Sequence, residues 1–184
     1  MLSFHIEHVK MRKIFFLLCS FFISVHAFSA SNNNLFNLMN QRLSFMPDVA
    51  ANKYLTHQPV EVLEQEQKVL ERTLSIADQE GLDADSVKPF VIAQMNVAKA
   101  IQYRYIADWL SQPNIQLNPQ SLDAVRVHIS NLTVEMMKQI AVSLKTKDKS
   151  ICNSRRFMHD VKFNHLTKSD QQYLFTTLQN IKLK

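Results

Sequence analysis

Four long polar side chains fall on the apolar faces of predicted helices. Arg42, Lys53, Gln102 and Arg126 each lie three or four residues from apolar neighbours along the chain, which is the spacing of one helical face. Arg and Lys are rarely buried without a partner, because an unpaired charge in an apolar environment is costly. Three cations directed into one helical core therefore indicate a binding site for a small anion.

Amide and carboxylate side chains extend this polar set. Gln94, Ala98 and Gln102 are spaced four residues apart, so they share one face of a helix, with a methyl group between the two amides. Gln65 and Glu66 lie between apolar residues of the preceding predicted helix. Two other interpretations stay open at this point. Arg and Lys can bury their stems while their charges reach water, and Glu66 could form an internal ion pair with one of the cations.

The composition favours helices as the elements that carry these side chains. The chain has one Gly and five Pro among 184 residues, and we find no alternating strand-like run bounded by turn residues. The pattern predicts an all-α, single-domain helical bundle of about six helices. The predicted helices span residues 34–46, 49–57, 59–81, 83–111 and 120–145, and two shorter helices divided near 165–169 follow within 151–184.

Single residues set the expected helix boundaries. Pro47 should interrupt the first helix, and Pro59 should start the third. Gly81 has the position of a helix stop, and Asp83 or Asp85 should cap the long helix that follows. The polar stretches at 112–119 and 145–150 are expected to be linkers.

The N-terminus has the pattern of a cleavable export signal. Three basic residues within 10–13 precede the apolar run Ile14–Val25, and the small residue Ala27 follows. We expect cleavage after Ala27, and the alternatives are translation from Met11 and an uncleaved membrane anchor. The chain is therefore divided into a signal peptide, a helical core and a C-terminal helical part of the same domain, at residues 1–27, 28–112 and 113–184.

Charge and cysteine content argue against other classes of protein. The formal net charge is +5, of which three basic residues and one acidic residue belong to the export segment, and no Lys/Arg block is present. We therefore expect no nucleic-acid partner and, after signal cleavage, no membrane association. Cys152 would then be the only cysteine, so no internal disulfide can form. The histidines are scattered without the spacing of metal ligands, so no metal site is expected.

The order of several short segments resembles one enzyme family. The match is close over residues 35–111, and it continues more loosely to the end of the chain, anchored by Arg126. The segments that carry the match are Arg42-Leu43, Val49-Ala50, Lys53-Tyr54, Glu64–Leu70, Gly81-Leu82-Asp83, Gln94–Gln102 and Ala107-Asp108-Trp109. Taken together, they resemble the exported, monofunctional, all-helical chorismate mutases.

The resemblance implies a role for each polar residue of the set. Arg42 and Arg126 would bind the two carboxylates of chorismate, and Lys53 would contact a carboxylate and the ether oxygen. Gln102 would donate a hydrogen bond to the same ether oxygen, and Glu66 would accept one from the ring hydroxyl. The implied reaction is the [3,3] rearrangement of chorismate to prephenate, which uses no cofactor. The resemblance also implies a periplasmic or secreted homodimer with each site built within one protomer.

The sequence departs from the family pattern at one motif. The family usually has Asp-x-x-Arg-Glu where this chain has Val62 and Gln65 before Glu66. Gln65 and Ala98 complete the expected substrate-binding set. Relatives often carry a small or hydroxyl residue at the position of Ala98. Two alternatives remain open: an isochorismate pyruvate lyase on the same scaffold, and a non-catalytic secreted helical binding protein.

Overall fold

The computed structural model describes residues 35–184, so the predicted signal peptide and its cleavage site lie outside the described residues. Within this range the chain is all-α, as expected, and the bundle of about six helices is confirmed. The α-helices are α1 Leu35–Ser44, α2 Met46–Leu55, α3 Leu63–Gln79, α4 Ala84–Leu110, α5 Leu122–Lys145, α6 Ser154–Asp160 and α7 Lys168–Leu178, and a 3₁₀ turn spans Lys149–Cys152.

Local signals explain the ends of the long helices. Gly81 follows α3 with a φ of +85°, a left-handed conformation that favours glycine. Asp83 caps α4, because its side chain accepts a hydrogen bond from the Asp85 amide at 3.2 Å. Ser121 caps α5 in the same way, and Thr167 forms a capping box with Asp170 at the start of α7. The sequence-based cap at Asp83 and the stop at Gly81 are therefore confirmed.

Two boundaries predicted from proline are wrong. The break between α1 and α2 falls at Phe45, and Pro47 lies in the first turn of α2, where the missing amide hydrogen is not needed. Pro59 does not start the third helix, since α3 begins at Leu63. In the non-helical segment before α3, Val60 is buried and its carbonyl accepts a hydrogen bond from Lys53 Nζ at 2.6 Å.

The core is organised around α4. This helix packs against α2, α3 and α7, while α5 packs against α1 and α3. The largest fully buried side chains come from several of these helices and from the C-terminal segment: Phe90, Ile101, Met136, Met137, Ile140, Phe157 and Leu174. A smaller cluster places Trp109, near the end of α4, against Ala50 and Ala51 of α2. In the part of the chain that the structure describes, no helix is both long and apolar enough to cross a bilayer.

The last residues of the chain are fastened to the turn between α3 and α4. The Asp83 amide donates to the Lys182 carbonyl at 2.9 Å, and the Lys184 amide donates to the Gly81 carbonyl at 3.1 Å. The Lys182 amide donates to Ser86 Oγ at 3.0 Å, and the Lys184 ammonium pairs with Asp78 at 2.6 Å. The C-terminal segment thus stabilises the turn between α3 and α4.

Candidate active site

A cavity of about 340 Å³ opens between the first five helices, which is within the usual size range of small-molecule sites. Residues of all five helices line it, together with the segment between α2 and α3. The lining includes every residue that the sequence assigned to the site, namely Arg42, Lys53, Gln65, Glu66, Ala98, Gln102 and Arg126. Side chains that are up to 84 positions apart in the sequence therefore meet at one place.

Arg42 lies at the buried end of this cavity. Its side chain projects from the last turn of α1, and the residue is only 8% exposed. Its Nε has no hydrogen-bond partner, and Arg42 forms no ion pair within residues 35–184. Burial lowers the pKa of Arg42 to about 10, because the charged form is held in an apolar environment. The guanidinium therefore has donors available for a ligand.

Lys53 lies one helix further along, near the C-terminal end of α2. Its Nζ donates one hydrogen bond to the Val60 carbonyl at 2.6 Å, and an ammonium group has two further donors. Burial lowers the pKa of Lys53, and the positive charge of Arg126 lowers it further. An anion bound between these two cations would relieve that repulsion.

Gln102 and Ala98 form the α4 wall of the cavity. Gln102 is 5% exposed, and its Nε2 donates only to the Ala98 carbonyl at 3.2 Å and to Met46 Sδ at 3.7 Å. Its Oε1 is buried without a partner among the described residues. Gln94, one turn before Ala98, does not line this cavity but a separate space of about 10 Å³. The predicted row of two amides is therefore divided between two places.

Among residues 35–184, Glu66 is the one acidic side chain that lines the cavity. One carboxylate oxygen pairs with Lys99 Nζ at 2.9 Å, whereas the other oxygen, Oε1, is buried without a partner. Lys99 also pairs with Glu61 at 3.2 Å. Burial works against the Lys99 charge, but the hydrogen bonds that Lys99 donates to Glu66 and Glu61 prevail and raise the pKa of Lys99. Glu66 thus has an internal cationic partner, which is Lys99 rather than Arg42, Lys53 or Arg126.

Arg126 approaches from α5 and is the most exposed of the predicted cations. Its side chain is about half exposed and has a long contact with Asp123 at 3.4 Å. The start of α5 is tied to α2 through Gln120, whose backbone and side-chain amides both donate to Asp48, at 3.2 Å and 3.0 Å. Asn52 donates to the Gln120 carbonyl at 2.7 Å. These hydrogen bonds place Arg126 opposite the helix that carries Lys53.

Sequence reasoning left three lining cations out of the expected set. Lys68 and Arg72 extend from α3, and Lys99 extends from α4. The available signal was spacing, since residues 65, 68 and 72 follow each other at helical intervals and share a face. Six cationic side chains thus line the cavity, and Glu66 is the acidic residue among the described lining. Lys68 and Lys99 are paired with carboxylates, so the charges of Arg42, Lys53, Arg72 and Arg126 are the ones that favour an anion of more than one charge.

The unpartnered buried atoms converge on the same cavity. Among residues 35–184, the buried side-chain nitrogen and oxygen atoms without a hydrogen bond are Arg42 Nε, Glu66 Oε1 and Gln102 Oε1. All three residues line this cavity. Buried polar atoms are normally satisfied, since leaving one without a partner costs about 1–3 kcal/mol. Three such atoms in one place, one donor and two acceptors, indicate a site arranged for a polar ligand that both accepts and donates hydrogen bonds.

Comparison with known proteins identifies the family. The profile of chorismate mutase type II matches residues 28–103. A secreted chorismate mutase of Yersinia pestis is 41% identical over 166 residues, which cover 90% of this chain and 89% of that protein. The chain belongs to the type II chorismate mutase family. A monofunctional chorismate mutase of Enterobacter agglomerans is 38% identical over 89% of this chain and 91% of its own.

Solved structures of chorismate mutases share the fold. The crystal structure of the secreted Yersinia pestis enzyme superposes with a TM-score of 0.79 at 42% identity, covering 83% of this chain and 99% of that chain. The Burkholderia phymatum chorismate mutase gives a TM-score of 0.67 at 22% identity, covering 82% and 95%. The second similarity, at low identity, shows the fold alone.

The departures from the chorismate mutase motif lie at the rim of the cavity. Val62 occupies the N-cap position of α3, is 40% exposed and makes no side-chain cap hydrogen bond. Gln65 is exposed one turn later and lines the opening. Neither position belongs to the buried end, where Arg42 and Gln102 lie. The departures at Val62 and Gln65 therefore affect the entrance of the cavity and not its buried end.

Proposed function

We propose that this protein converts chorismate to prephenate in the cavity between α1 and α5. The observation that carries the proposal is the convergence of Arg42 Nε, Glu66 Oε1 and Gln102 Oε1, all buried and unpartnered, in one strongly cationic cavity. The carboxylates of chorismate can accept from Arg42, and its ring hydroxyl can donate to Glu66 Oε1; its ether oxygen can accept from Gln102 when the amide turns Nε2 toward the cavity. The family membership of the chain supports the same reaction.

Two guanidinium groups would hold the substrate carboxylates. Arg42 binds one at the buried end of the cavity, and Arg126 binds the other from α5, because both have donors that no described carboxylate fully occupies. Bidentate binding of planar carboxylates by Arg gives orientation as well as affinity. The fixed substrate is then held in the compact conformation in which the two reacting carbon atoms are close.

Lys53 and Gln102 would act on the bond that breaks. Negative charge grows on the ether oxygen as the C–O bond lengthens, and donors already in place there lower the barrier. Lys53 has two donors beyond its bond to Val60. Gln102 Nε2 has only long hydrogen bonds to give up, and rotation of the amide interchanges its donor and acceptor. The reaction requires no proton transfer from either residue.

Glu66 would orient the ring of the substrate. Its free Oε1 is placed to accept a hydrogen bond from a hydroxyl, while the Lys99 ion pair fixes the other oxygen. A carboxylate held from behind in this way loses little conformational freedom when the substrate binds. Gln65 and Ala98 complete the proposed binding surface, Gln65 at the rim and Ala98 beside Gln102.

The decisive experiment follows the loss of chorismate with the purified protein. Lys53→Ala should reduce kcat/KM by on the order of 10²-fold or more, since one preorganised donor is lost. Lys138→Ala is the matched control, because Lys138 pairs with Glu135 on α5 and does not line the cavity. Isochorismate is assayed in parallel. Pyruvate release from isochorismate without prephenate formation would favour the lyase, and inertness toward both would favour a binding protein.

We also propose that the protein is exported, consistent with the secreted relative from Yersinia pestis. The mature N-terminus should be Phe28 if cleavage follows Ala27. Sequencing the N-terminus of protein recovered from the periplasm or the medium tests this, and full-length chain retained in the cytosol would contradict it. The homodimer stays a prediction of the family resemblance, which light scattering in solution can measure.

A further inference from the structure

We infer that Arg72 is an additional substrate-binding residue, which contacts a carboxylate of the ligand together with Arg126. This inference rests on the proposed function and adds a residue that neither the motif nor the helical pattern had placed in the site. Arg72 projects from α3 and lines the cavity. It forms no hydrogen bond or ion pair within residues 35–184.

The other cations near the rim are already neutralised. Lys68 pairs with Glu64 at 2.6 Å, and Lys99 is held between two carboxylates at 2.9 Å and 3.2 Å. An ion pair of this kind leaves little charge for a ligand, because the partner carboxylate repels an incoming anion. Arg72 has no such partner. It is therefore the free cation that α3 offers to a ligand in the described structure.

The helical geometry places this charge on the cavity side of α3. Arg72 follows Gln65 by seven residues, so the two side chains lie on nearly the same face, about 10 Å apart along the axis. Gln65 carries no charge, so Arg72 supplies the positive charge on this face. Arg126, Ser130 and Thr133 of α5 also line the cavity, and α5 packs against α3. A carboxylate between α3 and α5 would therefore be contacted by a guanidinium from each side.

The test compares Arg72→Gln with wild type and with Arg155→Gln. Arg155 is exposed, has no described ion pair and lies on α6 outside the cavity. Steady-state kinetics with chorismate and calorimetric titration with prephenate are measured for each protein. We expect Arg72→Gln to raise KM and the prephenate Kd by on the order of tenfold. Its thermal midpoint should not change, and Arg155→Gln should resemble wild type in every measurement.

A second variant separates charge from local packing. Arg72→Lys keeps a positive charge at the same position without the planar guanidinium, so it should retain part of the affinity that Arg72→Gln loses. An Arg72→Lys variant that binds prephenate no better than Arg72→Gln would overturn the inference.

The possible failures can be told apart. Normal KM and Kd in Arg72→Gln, with wild type active, would overturn the inference and leave the proposed function intact. Prephenate binding that weakens in Arg72→Gln, with no turnover of chorismate by wild type, would support the inference and overturn the proposed function. A wild-type protein that neither binds prephenate nor consumes chorismate would overturn both.

Discussion

Replacing Arg42 with Met should stabilise the protein while it removes activity. The charged guanidinium is 8% exposed and unpartnered among the described residues, and burial lowers its pKa from the ordinary value of an arginine to about 10. At 1.36 kcal/mol per pKa unit, this shift corresponds to roughly 3 kcal/mol of unfavourable burial at neutral pH. Met keeps the apolar stem without the charge. We therefore expect Arg42→Met to raise the free energy of unfolding by about 1–3 kcal/mol.

The measurement is urea unfolding, supported by the thermal midpoint. For a chain of this size the midpoint should rise by roughly 2–10 °C. Prephenate should raise the midpoint of wild type by mass action and leave that of Arg42→Met unchanged. Arg104→Met is the control with the same substitution, because Arg104 pairs with Asp170 at 2.6 Å and should lose stability. If Arg42→Met were destabilised as much as Arg104→Met, the interpretation of Arg42 as an unpaired buried charge would be refuted.

Three further predictions concern the rate, the position of α5 and the start of α3. The pKa of Lys53 is lowered, so kcat/KM should fall as pH rises through a value below that of an ordinary lysine, and Lys53→Arg should move this fall to higher pH. Asp48→Ala removes both hydrogen bonds to Gln120 and should lower kcat/KM by on the order of tenfold through Arg126. In an Arg126→Ala background the same change should have little effect, and a full effect there would exclude this route. Val62→Asp should give α3 a side-chain N-cap and raise the free energy of unfolding, measured by urea titration, by about 0.5–2 kcal/mol. An unchanged free energy would show that the absence of a cap at Val62 does not limit stability.

The helices and the polar set could be predicted because their signals are local. Gly81 and Asp83 mark a boundary through their own backbone and side-chain preferences, whatever surrounds them. Arg42 and Gln102 stood out because a charge or an amide interrupted an apolar face. The same reasoning failed at Pro59, where the segment before α3 contacts α2 through a hydrogen bond from Lys53 to Val60, a contact that a local pattern does not contain.

The partners within the site could not be predicted from spacing. Glu66 and Lys99 are 33 residues apart, and their contact depends on how α3 and α4 cross. Arg72 escaped notice for a different reason. It lies among polar residues of α3, and such a stretch is typical of a helix surface that faces water. Only the approach of α5 turns part of this surface into a cavity wall.

The attachment of the last three residues to the turn after α3 has a practical consequence for handling the protein. Both arms of the hairpin held by Lys182 and Lys184 carry cavity residues, Glu66 on one and Gln102 on the other. A purification tag joined directly after Lys184 would crowd this contact. It could displace the Lys184 ammonium from Asp78 and disturb the turn at Gly81. Kinetic constants measured on such a fusion would include this disturbance. A tag placed before α1 and removed by protease leaves the C-terminal attachment as the fold forms it.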